Sequence, residues 1–163
     1  MPAPDHREAA KLVADLCQRA ALLDPDRIGA MSTVLKDPVF ANPRLIKRCI
    51  NRFAEVWGKA ERSSAQDSPH EAVERDQALV KWIAATERWP QLRRILLTYD
   101  GDTWRQLGRA VADASQAPPG PEAAEILAQR GARGWLAGNV FSSSGAGVDR
   151  FRAADQRLRE RGL

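Results

Sequence analysis

Apolar residues recur every three or four positions along most of the chain, and nowhere do they alternate with polar ones long enough to predict a strand. Leu12, Val13, Leu16, Ala20 and Leu23 form a first stripe, behind a capping box of Asp5 and Glu8. Asp24-Pro25 restarts the chain as cap and first helical residue, and Ile28, Met31 and Leu35 line a short second helix that Asp37-Pro38 stops. Val39, Phe40 and Ala41 read as a connector. Asn42-Pro43 then opens the best-defined helix. Its buried face reads Ile46, Cys49, Ile50, Phe53, Trp57 and Ala60, and its opposite face carries Arg44, Lys47, Arg48, Asn51, Arg52 and Glu55.

Residues 63–68 form a polar linker, and Ser68-Pro69-His70-Glu71 is a second capping box. Ala72, Leu79, Val80, Ile83 and Ala84 carry the next helix to Trp89-Pro90. Leu92, Ile95, Leu96 and Tyr99 line a shorter one closed at Gly101. Asp102 or Thr103 then caps a segment through Trp104, Leu107, Val111 and Ala112. Ala117-Pro118-Pro119-Gly120-Pro121 breaks the chain firmly and is the best internal boundary. It divides a main helical bundle over 1–116 from a C-terminal helical extension over 117–163 packed on it. The extension reads as a helix over 122–129, an interruption at Gly131, Gly134 and Gly138, a flexible loop over 142–147 and a last helix over 149–161. Phe151, Ala154 and Leu158 face inward on that last helix. The expectation is all-α: a bundle of about six to eight helices, one domain with a looser C-terminal part and no internal repeat.

Composition supports a packed core, since hydrophobic residues at 44% and charged ones at 28% sit in the ordinary globular range. The net charge of +4, carried mostly by arginine, is compatible with nucleotide, nucleic acid or an acidic partner and selects none of them. Cys17 and Cys49 fall on apolar helix sides and read as small buried hydrophobes. His6 and His70 are isolated residues at helix starts. The N-terminus has no apolar run behind a basic start, and no stretch approaches the roughly 20 apolar residues that span a bilayer. A cytoplasmic protein is expected.

The chemistry expected of an independent enzyme is missing. There is no G-x-x-x-x-G-K-[ST] loop to cradle phosphates. Residues 142–147 are rich in serine and glycine, but no lysine follows and no strand precedes. Ile95-Leu96-Leu97-Thr98-Tyr99-Asp100 mimics a magnesium-binding strand, yet Pro90 before it and Gly101 after it suit a helix better. Neither histidine is placed by a catalytic motif, and Asp100 and Asp102 sit where capping explains them. Trp57, Trp82, Trp89, Trp104 and Trp135 fall mostly on helical stripes. Arg88-Trp89 and Trp104-Arg105 are the only pairs that resemble a stacking platform for single-stranded nucleic acid.

What stands out is Asn42-Pro43-Arg44-Leu45-Ile46-Lys47-Arg48. Arg44, Lys47 and Arg48 crowd the first turn and a half of a helix, where cations oppose the macrodipole at a cost of about 0.3–1 kcal/mol each when exposed. An anion held by these side chains and by free backbone N–H groups would remove the conflict. A solvated basic face is the competing reading. Arg44, Lys47 and Arg48 are therefore the phosphate-binding candidates, and Arg52 extends the same face. No metal-ligand spacing is present.

The block Asn42-Pro43-Arg44-Leu45-Ile46-Lys47-Arg48-Cys49-Ile50-Asn51-Arg52-Phe53 resembles the entry to the C-terminal helical lid of KAP-family P-loop NTPases. The order downstream is also similar: a long helix, a polar linker, a helix running into Glu87-Arg88-Trp89-Pro90-Gln91-Leu92, and a tail closing on Leu158-Arg159-Glu160-Arg161-Gly162-Leu163. The resemblance spans residues 20–163, with 42–53 its specific part. It implies a non-catalytic accessory domain that meets ATP and magnesium only in complex with a P-loop NTPase core, supplied by the same longer chain or by a separate protein. By that analogy Arg44 is the first candidate for a phosphate contact, followed by Lys47 and Arg48. Family members include bacterial membrane-associated and defence-related proteins. This sequence departs from the family in lacking every element that binds and hydrolyses the nucleotide. Two other classes stay open: a nucleic-acid-binding module using the 44–52 face and the 150–161 tail, and a protein-interaction domain or homo-oligomer whose basic face meets an acidic partner.

Overall fold

Proline sets most of the helix starts. Five of the nine α-helices among the described residues begin on one: α2 (Pro25–Leu35), α3 (Pro43–Ala60), α4 (Pro69–Arg88), α5 (Pro90–Thr98) and α7 (Pro121–Ala128). The first helical N–H has no partner within the helix, so losing it there is harmless, and the fixed φ of proline already suits the helix. The others are α1 (His6–Arg19), α6 (Gly101–Ala112), α8 (Ala132–Asn139) and α9 (Gly147–Glu160). This computed structural model describes residues 6–19, 25–60, 69–98, 101–141 and 147–160. The expected caps Asp5, Asp24 and Ser68, the linker over 63–68, and residues Ala20, Leu23, Tyr99, Asp100 and 142–146 lie outside them. So do the side chains of His6, His70, Trp57, Ala60, Ala72 and Leu96.

The protein is an all-α bundle, with no strand among the described residues. The 20-residue helix α4 is its centre and packs against α2, α3 and α9, while α1 lies on α2 and α3. Beyond it α5 packs on α7, and α6 on α8. One apolar cluster runs through all nine helices, from Val13 and Cys17 in α1 to Phe151 and Leu158 in α9. It crosses the chain break at 117–121, since Ile126, Trp135 and Leu136 belong to it. Trp82 of α4 stacks on Phe151 of α9 with ring centroids 5.3 Å apart.

Several local expectations need correction. Residues 132–139 form a helix despite Gly134 and Gly138, which raises the helix count above the expected range. A helical glycine costs about 1 kcal/mol against alanine, and here burial of Trp135 and Leu136 outweighs that. Gly131 takes a left-handed φ of 79° to start this helix, and a Cβ there would come 2.7 Å from Val39 Cγ2. Asp37 does more than stop α2, because its carboxylate accepts the Val39 N–H at 3.0 Å and opens a 3-10 turn over Pro38–Phe40. Helix α6 starts at Gly101, so Asp102 and Thr103 lie inside its first turn rather than before it. Its inward alanine is Ala110, with Ala112 exposed. Leu45 and Val56 join the buried face of α3, and Trp82 and Ala85 that of α4.

The connector residue Phe40 is fully buried and makes edge contacts with two tryptophans, at 5.1 Å from Trp135 and 6.3 Å from Trp89. Trp89 and Trp135 are themselves 5.5 Å apart, and the Trp89 indole N–H donates to Gln129 Oε1 at 3.0 Å. This cluster joins the entry of α3, the junction of α4 with α5, and α8. Phe40→Ala should therefore cost about 3–5 kcal/mol in urea denaturation, and Phe40→Leu much less. A loss of under about 1 kcal/mol for the alanine variant would show that the connector is not part of the core.

Candidate functional site

The start of α3 lies against the end of α4, where Arg48 and Arg52 both reach Glu87. Asn42 caps α3: its side-chain oxygen accepts the Arg44 N–H at 2.9 Å, and its carbonyl accepts the Ile46 N–H at 3.0 Å. Pro43 has no N–H to offer. That leaves only the Leu45 N–H in the first three helical positions, so the backbone contributes less to an anion than the sequence suggested. Any anion here is held mainly by side chains.

The structure separates the four basic candidates into two pairs. Arg44 and Lys47 are exposed, three residues apart on one face, and among the described residues neither side chain has a hydrogen bond or ion pair. Arg48 Nε lies 3.2 Å from Glu87 Oε2, and its Nη2 donates to the Glu87 carbonyl at 3.3 Å. Arg52 Nε lies 3.6 Å from Glu87 Oε1. Side-chain exposure is 63% for Arg48, 31% for Arg52 and 19% for Glu87, so these are surface pairs of the kind worth about 0–1 kcal/mol. Against its four cations this face carries two acids, Glu55 and Glu87, which leaves a formal charge of +2.

Glu87 was not among the residues that sequence reasoning selected. A signal for it existed. A carboxylate in the last turn of α4 opposes the helix dipole as surely as cations in the first turn of α3 do. Packing the two ends together lets each misplaced charge relieve the other.

The remaining chemistry-bearing groups are occupied elsewhere. Burial pushes the Cys17 thiol up to about 11. The Cys49 thiol rises to about 12, through burial first and the Glu87 charge second, with Arg48 acting against both. Neither is a thiolate nucleophile near neutrality. Asp155 of α9 is the buried charged side chain among the described residues. It accepts from Arg93 Nε at 2.7 Å, Arg159 Nε at 3.0 Å and Trp82 Nε1 at 3.3 Å, tying α9 to α4 and α5. Arg150 pairs with Glu74 at 2.7 Å. Two cations of the expected 150–161 nucleic-acid face are thus engaged within the fold.

The aromatic platforms also belong to the core. Trp89 and Trp104 are buried, and the Arg88 guanidinium sits 5.9 Å from the Trp89 ring centroid. Asp102 ion-pairs with Arg105 on the surface of α6. An open groove of about 590 Å³, lined by Arg105, Gly108, Arg109, Ala112 and Phe141, runs beside that helix. A Cβ at Gly108 would meet the Phe141 ring at 3.0 Å, so the ring would have to give by a few tenths of an ångström. Among the described residues, no group of His, Cys, Asp or Glu is arranged to hold a metal ion. No described helix is long and apolar enough to cross a membrane. The chain matches no protein-family model, no curated protein and no solved structure.

The two thiols predict a pH dependence. Above the ordinary thiol value of 9.0 the unfolded chain releases both protons while the folded chain keeps them, so stability falls as pH rises from 9 toward 11. The slope contributed by each thiol is at most about 1.4 kcal/mol per pH unit. Chemical denaturation across this range should show a steeper fall for the native sequence than for C17A/C49A. Equal slopes would mean that the thiols titrate freely in the folded protein.

Proposed function

We propose that the chain is a non-catalytic helical accessory domain, a lid that presents Arg44 and Lys47 to the phosphates of a nucleotide held by a P-loop NTPase core. The core is supplied by a longer chain or by a partner protein, and brings ATP and magnesium with it. The observation that carries this reading is the pair itself. Arg44 and Lys47 are exposed cations on the first turns of α3, with no acidic side chain engaging them among the described residues. The resemblance of residues 42–53 to the KAP-family lid entry supports phosphate as that answer.

A lid of this kind works by differential contact. Guanidinium and ammonium groups bind a triphosphate more strongly than its hydrolysed product, so the nucleotide state biases whether the domain is docked or released. Arginine suits the contact because its planar fork matches two phosphate oxygens, while Lys47 adds a mobile point charge. The nucleic-acid reading is less well supported, because Trp89 and Trp104 are buried and Arg150 and Arg159 are already paired.

Inorganic triphosphate titrated into isotope-labelled protein at low salt should shift the backbone amides of residues 44–48 first, with affinity in the millimolar range expected of half a site. R44E/K47E should erase these shifts while leaving the fold unchanged, since both side chains are exposed. The chain alone should not turn over ATP. Shifts spread evenly over the surface, or ATP hydrolysis that tracks with the chain through successive purification steps, would contradict the proposal.

A further inference from the structure

Glu87 is placed where an anion bound to this face would compete with it. It is the one carboxylate engaging Arg48 and Arg52 among the described residues, through contacts of 3.2 and 3.6 Å. Arg48 stands one helical turn beyond Arg44 and directly after Lys47. Its side chain is 63% exposed, so it can leave Glu87 and swing toward an anion held over Arg44 and Lys47 without disturbing the core. Arg52 is a further turn away and only 31% exposed, which suits it to stay.

We infer that Glu87 is an internal competitor for Arg48, an autoinhibitory contact that keeps the phosphate site half-assembled until a polyanion draws Arg48 away. This rests on the phosphate-binding reading above and adds its regulation. Before binding, Arg44 and Lys47 are the contacts on offer and affinity is low. When a triphosphate arrives, Arg48 exchanges the Glu87 carboxylate and carbonyl for phosphate oxygens, and a third cation joins the site. Glu87 keeps Arg52 as its partner, so no buried charge is stranded. A ligand of lower charge gains less from a third cation and displaces Glu87 less readily. The contact therefore discriminates by ligand charge, favouring triphosphate over monophosphate.

Linkage makes the exchange reciprocal. Whatever Glu87 takes from anion affinity, a bound anion takes from the tie between α3 and α4. The strength of a surface ion pair sets the scale of the effect.

The test is the dissociation constant of inorganic triphosphate, measured by calorimetry at low salt for the native chain, E87Q, E87D and E55Q. E87Q should bind about two- to fivefold tighter, the range that a single surface ion pair allows. E87D, which keeps the charge, should bind like the native chain. Glu55 is an exposed acid on the same helix, and among the described residues it has no ion-pair partner. E55Q changes net charge by the same amount as E87Q but frees no guanidinium, so it should leave affinity nearly unchanged. Adding R48A to E87Q should return the affinity to the native value or below. Thermal melts followed by circular dichroism confirm that each variant folds.

If the native chain binds and E87Q binds no tighter, or E55Q matches it, the competitor role is wrong and the phosphate site stands. If neither the native chain nor E87Q binds triphosphate, the phosphate site is wrong and the competitor role goes with it.

Discussion

Phe40 meets Trp89 and Trp135 edge-on, and the two tryptophans pack tilted against each other, at the point where three chain segments converge, and the basic site depends on that meeting. Phe40 lies two residues before Asn42, the cap of α3, and Trp89 lies two residues after Glu87 in the last turn of α4. Holding those rings together therefore holds the first turn of α3 beside the last turn of α4. Each ring is almost wholly removed from water. Aromatic burial with favourable edge geometry is the largest local contribution available here, well above what the exposed ion pairs can supply. The charges do not build the site. The aromatic core builds it, and the charges occupy it.

That order explains why unfavourable charges are tolerated. Cations at the start of α3 and a carboxylate at the end of α4 each work against their own helix. A fold resting on those helices alone would lose stability at both ends. Packed antiparallel, the ends share a single ion-paired patch, and Glu87 offsets the charge of Arg48 and Arg52. Arg44 and Lys47 stay outside the arrangement, as the residue of a local conflict that the protein only half resolves. Other ion pairs join Arg94 with Glu122, Arg150 with Glu74, and Arg93 and Arg159 with the buried Asp155.

Much of the architecture was legible in sequence because it is written in local signals. Proline at first helical positions and apolar residues at helical spacing placed most of the helices within a few residues. Three features escaped. Helix α8 escaped because two glycines argue against a helix locally, and only the burial of Trp135 and Leu136 overrides them. Phe40 reads as a connector because one apolar residue in a three-residue turn has no periodicity, so its role depends on partners far along the chain. Glu87 escaped because its place in the last turn of a helix marks a misplaced charge but not the cations that answer it, which only the packing of the two helices sets. For the site, sequence marked the basic face. The division of that face into engaged and free cations is tertiary information, visible only once the end of α4 is set beside the start of α3.

Exchange of the guanidinium N–H protons with solvent, measured by NMR on the unliganded protein, tests this division most directly. Arg48, whose Nη2 donates to the Glu87 carbonyl, should exchange more slowly than Arg44, whose rate should match an exposed arginine. Equal rates at the two positions, or protection at Arg44, would contradict the account.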